Sequence, residues 1–236
     1  MEQRETVAGN EPLADARDMF AIHTVFRREF GLMPDLIRDV PDGDLSRAMQ
    51  VADHVARVNL LLHVHHTAED KHIWPLLIRR GNAKIISLVH TMEDEHDAIF
   101  DCYEQVEEAR KSWIENGSAE ARDDVADAVE RLLPVVTHHM DDEEKHIVPL
   151  IEKYITEAEY ARIPQDASVH IPPDEFPTIF GMIMYEGEPD VVDTIVAQMP
   201  PEMRPLIKEL GRKAYAAYAQ ALYGTPTPPR VTKAAA

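Results

Sequence analysis

Two twelve-residue stretches of this chain are near copies: His65-x-x-x-Glu69-x-Lys71-His72-Ile73-x-Pro75-Leu76 and His139-x-x-x-Glu143-x-Lys145-His146-Ile147-x-Pro149-Leu150, at a constant offset of 74 residues. An imidazole and a carboxylate four residues apart lie on one face of a helix, a spacing suited to holding a metal ion. A chain that presents the pair twice, at matching points of two halves, reads as a helical bundle folded around a metal centre. Two more histidines belong with the pairs. His23 lies 42 residues before His65, and His96 lies 43 before His139. The halves are therefore expected to meet about a pseudo-twofold axis and to deliver ligands at one level.

The elements that must carry these residues follow an apolar period of three and four, with no convincing period-2 alternation. The expected fold is all-α, an up-down-up-down four-helix bundle with a C-terminal helical extension. A first helix is expected from about 14 to 30, stopping near Gly31 and Pro34. Asp44 caps a second that runs to Arg80, and a third runs from about 83 to 115 and closes at Asn116-Gly117. Ser118 caps a fourth that continues to about Tyr154, and Thr156 to Glu159 forms a capping box opening a short fifth piece. Pro75, Pro134 and Pro149 should kink the helices they interrupt. After Ile163, Pro164, Pro172, Pro173 and Pro177 mark a linker. Three further helices are expected at about 174–186, 189–199 and 202–223, with a frayed tail over 224–236. The domains read as a bundle over 14–160 and an extension over 165–224.

The second helix turns Val51, Val55, Val58, Leu62, His65, Glu69, Ile73 and Leu76 inward. The fourth turns Val125, Val129, Leu132, Val136, His139, Glu143, Ile147 and Leu150 inward. Each swaps two core positions for a His and a Glu at the same depth. The first helix adds His23 between Met19 and Phe26, and the third adds His96 between Met92 and Ile99. A buried carboxylate or imidazole without a partner costs several kcal/mol. Two glutamates and four histidines facing one centre would be a liability unless cations sit among them. The candidate metal ligands are therefore His23, His65, Glu69, His96, His139 and Glu143.

The other histidines have blander readings. His72 and His146 lie seven residues beyond the motif histidines, either beside the site or at the surface. His66, one step round from His65, could approach from the flank. His54, His63, His90, His138 and His170 fall outside the stripe and read as exposed, while Tyr215 and Tyr218 read as packing of the C-terminal helices. Tyr103 is a core residue first. The C-terminal region shows no catalytic constellation of its own.

Composition sets the bounds. A net charge of −19 over 236 residues repels a nucleic-acid backbone, so no nucleic-acid partner is expected. One cysteine, Cys102, excludes an internal disulfide and fits a reducing compartment. No basic-plus-apolar leader and no uncharged apolar run of membrane length is evident, so the expected setting is cytoplasmic and without a membrane partner. The oligomeric state stays open.

The order His, His-x-x-x-Glu, His, His-x-x-x-Glu, with a proline six residues after each Glu, resembles the hemerythrin-like (HHE cation-binding) domain over about residues 14–160. That resemblance implies a non-haem centre of two iron ions, bridged by an oxo or hydroxo group and by Glu69 and Glu143, with His23, His65, His96 and His139 as terminal ligands. It also exposes a departure. Oxygen-carrying hemerythrins have His-x-x-x-His in the third helix, and here the positions four residues either side of His96 are Met92 and Phe100. Their fourth helix has His-x-x-x-x-Asp, where this chain has its carboxylate four residues on, at Glu143. Four His and two Glu leave more open coordination than a carrier wants, which favours reaction with peroxide, O2 or NO. Three functions follow from this: an oxidoreductase-type di-iron protein, of which a peroxide-decomposing, catalase-like enzyme is one form; an oxygen- or iron-binding sensor without turnover; and a zinc-binding bundle. An extra ligand from His66, His72, His146 or a tyrosine would change the argument about vacancies.

Overall fold

A computed structural model describes residues 11–230, so the last six residues of the expected frayed tail lie outside the described residues. The described residues are helical, with one isolated antiparallel bridge between Leu13 and Thr156. In chain order the segments are α1 (Asp18–Arg38), α2 (Leu45–His72), α3 (Trp74–Arg80), α4 (Ala83–Asn116), α5 (Ala119–His146) and α6 (Val148–Tyr154). There follow α7 (Glu157–Tyr160), α8 (Arg162–Val169), α9 (Phe176–Glu186), α10 (Pro189–Gln198) and α11 (Arg204–Tyr223). Among the described residues no helix is long and apolar enough to cross a membrane.

The four long helices pack around one core, α1 on α2 and α5, and α4 on α2 and α5. The apolar stripes expected from the sequence line it: Val51, Val55, Val58, Val125, Val129, Leu132 and Val136 are all buried. The caps also form where expected. Asp44 accepts from the Arg47 N–H, Ser118 from Ala121, and Thr156 and Glu159 close the capping box reciprocally. Gly117, at φ 65°, supplies the left-handed residue that ends α4.

Three expectations need correction. The first helix does not stop at Gly31 and Pro34 but runs through both to Arg38. A proline inside a helix costs about 3 kcal/mol; burying Met33 just before it and Leu36 and Ile37 just after it offsets that. The second and fourth helices do not continue to Arg80 and Tyr154. Each breaks, at Ile73 and Ile147, and restarts as α3 and α6 with its proline in the first turn, where no N–H is needed. The stretch after Ile163 is helix α8 through Pro164, packed on α2, rather than a linker.

The C-terminal helices lie on the bundle. α9 and α10 pack on α1, and α11 packs on α9, where Gly181 and Gly211 let the two backbones approach so closely that a Cβ at Gly181 would run into the Gly211 carbonyl. Beneath them lies a buried charged network. Arg28 pairs with Glu29, with Glu186 at 2.8 Å and with the Tyr215 hydroxyl. His54 stands 3.2 Å from Glu29 and 2.7 Å from the Tyr218 hydroxyl, and Tyr223 donates to Glu29. His54, expected at the surface, is fully buried here because α9 and α11 cover the flank of α1 and α2 that a bare bundle would expose.

Candidate metal centre

All six residues expected as ligands are buried and come together, and a seventh, His66, joins them. His23 comes from α1, His65, His66 and Glu69 from α2, His96 from α4, and His139 and Glu143 from α5. Two sets of donors form, each with its ligand atoms within 4.8 Å of one another: His23, His65, Glu69 and Glu143, and His66, Glu69, His96 and His139. Glu69 belongs to both.

The inward atoms are the Nε2 nitrogens. His23 Nε2 stands 3.2 Å from His65 Nε2 and 3.2 Å from a Glu143 oxygen. His96 Nε2 stands 3.1 Å from His139 Nε2 and 3.6 Å from Glu69. His66 stacks on His96 with ring centroids 4.1 Å apart.

Carboxylates outside the cluster fix the rings. His96 Nδ1 meets Asp70 at 2.7 Å, His23 Nδ1 meets Glu144 at 3.1 Å, and His139 Nδ1 meets Glu95 at 3.0 Å. Arg27 holds Glu144 at 2.6 Å, and the Trp74 indole N–H donates to Asp70. With Nδ1 directed at a carboxylate, each imidazole points its other nitrogen at the centre, the usual way a protein orients a metal-binding histidine.

The residues fit a cationic group because of what they lack. The buried oxygens of Glu69 and Glu143 lie close to imidazole nitrogens, His65 Nε2 at 3.1 Å and His23 Nε2 at 3.2 Å, but none has a donor in hydrogen-bonding geometry, and buried His66 Nε2 has no partner. Such groups cost several kcal/mol each unless something positive lies among them. Burial, then the neighbouring Glu143, drives the Glu69 carboxyl well above its ordinary range. Glu143 goes the other way, because His23, then His139 and His65, outweigh its burial. Burial pushes His65 and His66 well down, aided by His23 and His96 respectively, which keeps them as neutral imidazoles, the form that binds metals. His23 is raised, since Glu143 and Glu144 overcome the opposing effect of its burial.

The remaining histidines sort cleanly. His72 lies 3.4 Å from Asp166, away from the centre, and His146 is exposed. His63, His90, His138 and His170 are exposed as expected. His138 forms a looser group with Glu95 and Asp142 at the surface. What the sequence reading left undecided or missed are His66 and the outer carboxylates. Part of this had a signal. Asp70 and Glu144 each follow a motif glutamate by one residue, and each anchors the histidine of a neighbouring helix, His96 or His23. The repeat also holds the asymmetry: at the 74-residue offset His66 corresponds to Met140, a buried apolar residue.

No curated protein and no solved structure matches the chain significantly. The model of the hemerythrin HHE cation binding domain does, over residues 15–151 and again over 87–170. The first match spans more than half of the chain and contains every donor named above, so this chain belongs to the hemerythrin HHE cation-binding domain family.

Proposed function

We propose that the centre holds two iron ions and reacts with a small oxygen species: peroxide, O2 or NO. The observation that carries this reading is Glu69, one buried carboxylate common to two donor sets, as a bridge between two ions requires. His23, His65 and Glu143 hold one ion, His66, His96 and His139 the other. When bound, the pair supplies the electrons and open coordination that such chemistry needs. The protein's own contribution is to orient the imidazoles through Glu144, Asp70 and Glu95 and to keep His65 and His66 unprotonated.

The up-down-up-down order of the long helices belongs to the same reading, supported by their short connections and their mutual packing. So does the division into a bundle over 14–160 and an extension over 165–224. A reducing, cytoplasmic setting is favoured by the lone cysteine.

His66 alters the argument about vacancies. With it the donors number five imidazoles and two carboxylates, three imidazoles on one side of Glu69 and two on the other. Each ion then has four donors, three imidazoles and Glu69 on one side, two imidazoles, Glu143 and Glu69 on the other, so the seventh donor fills a position that the six-residue set left open. This favours a second reading, reversible binding or sensing of oxygen or iron without turnover, more than the six-residue set did.

One experiment separates the readings: metal quantification and an optical spectrum on the protein as isolated, before and after peroxide. About two iron ions per chain and a ligand-to-iron charge-transfer absorption, with peroxide consumed, support the reactive centre. Reversible spectral change without consumption supports the second reading, and zinc in place of iron overturns both. His66→Leu is expected to lower iron from about two towards one per chain, because removing a ligand weakens one position more than the other. An unchanged iron content in that variant would remove His66 from the ligand set.

A further inference from the structure

A half-open cavity of about 170 Å³ lies between α2 and α4 and runs against the centre. His66 and His96 form its inner wall; Asp70, Asp97, His63 and Tyr103 stand nearer the surface. The rings of His63, Phe100 and Tyr103 pack on one another at centroid distances of 5.7–5.8 Å, so one side of the mouth is a stiff aromatic edge. No lysine or arginine lines the cavity. His66 is the residue that makes it more than a surface dent. It is about nine-tenths buried, its Nε2 lacks a hydrogen-bond partner, and it belongs both to the cavity wall and to the donor set.

We propose that this cavity is the passage by which a divalent cation reaches the centre, gathered at the mouth by Asp97 and Asp70 and taken inward by His66. The inference rests on the reading of the centre as a metal site. Three features favour a cation over the oxygen species as the traveller. Two aspartates without a compensating cation make the mouth negative, which raises the local concentration of cations and repels anions. The cavity leads to His66, whose buried Nε2 has no hydrogen-bond partner and is free to meet an incoming cation. At ~30 Å³ per water the space holds roughly five or six molecules, enough for an ion that keeps part of its hydration shell while it exchanges water for imidazole. Asp70 links the mouth to the centre, since it also fixes His96.

The test is the rate at which metal-free protein takes up Co²⁺, followed by stopped-flow absorption, with the final stoichiometry measured separately. Asp97→Asn is expected to slow the second-order uptake by about threefold to tenfold at low salt, and the difference should vanish at high salt. Thr67→Trp, at an exposed cavity position, should slow uptake at every salt concentration. Both variants should reach the wild-type stoichiometry. Asp142→Asn, beside His138 on another face, should load at the wild-type rate. Wild-type rates in both Asp97→Asn and Thr67→Trp, with full loading, would overturn the passage while leaving the metal centre intact. So would a slowing in Asp142→Asn equal to that in Asp97→Asn. Failure of the wild type to bind Co²⁺ at all would overturn the passage together with the metal reading on which it rests.

Discussion

Replacing Glu69 by alanine should empty the centre, lowering bound metal from about two ions per chain to well below one. Removing an ordinary ligand weakens one position; removing Glu69 takes a donor from both sets at once. The loss also unbalances what remains. Glu143 would face His23, His65 and His139 without the second carboxylate, and a dication between them would meet one negative charge in place of two. Glu69→Gln keeps the shape and one oxygen but not the charge, so it should fall between alanine and wild type. The measurement is elemental analysis after equilibrium loading, paired with thermal unfolding of the metal-free proteins. There the alanine variant should be no less stable than the wild type, because it deletes a buried carboxyl whose oxygens have no hydrogen-bond partner. Two ions retained per chain would refute the bridging role of Glu69. A collapse in metal-free stability would show that Glu69 serves the fold rather than the metal.

The second large effect lies away from the centre. Glu29→Ala should destabilise the protein by about 3–5 kcal/mol, the range for removing one partner from a buried ion pair. Glu29 is fully buried and meets Arg28, His54 and Tyr223, so its loss leaves the buried Arg28 guanidinium to Glu186 and takes away the carboxylate that faces His54. Urea unfolding followed by circular dichroism should show the midpoint drop, and a loss under 1 kcal/mol would mean that the network is not coupled to folding. The pH dependence has a definite sign. Burial acts to raise the Glu29 carboxyl, but His54 and Arg28 outweigh it and hold it below 4.5. A lowered pKa in the folded state means that the unfolded chain takes up the proton first as the pH falls. The contribution of Glu29 is therefore complete above about pH 5 and lost as acid passes through its folded value. Wild type should lose stability over that range more steeply than Glu29→Gln.

These two sites divide the protein by what a linear chain can reveal. The six residues of the stripe were legible because a helix repeats every 3.6 residues, so spacing alone puts His65 with Glu69 and His139 with Glu143 on core-facing sides. The doubled motif, the caps at Asp44, Ser118 and Thr156, and Gly117 at the end of α4 are likewise local, and each formed as the residues indicated. The helix breaks at Ile73 and Ile147 were half legible. The prolines announced a disturbance, but whether a helix bends or restarts depends on what the next turn packs against, as the unbroken passage of α1 through Pro34 shows.

His66 could be assigned only in three dimensions. It sits about 100° round the helix from His65, and whether that direction faces solvent or the other donors is set by how α4 and α5 cross α2. The outer carboxylates Asp70, Glu95 and Glu144 depend on helix packing too, because each reaches a histidine on another helix, Asp70 from α2 to α4, Glu95 from α4 to α5 and Glu144 from α5 to α1. His54 and Glu29 are the extreme case. Their periodicity says nothing of the C-terminal helices that bury them, since contacts spanning more than 160 residues of chain leave no local trace. The sequence thus determined the helices and the chemistry of their inward faces, because those follow from neighbours a few residues away. The packing of helix on helix decided which further side chains complete the centre and which charges are sealed beneath α9 and α11.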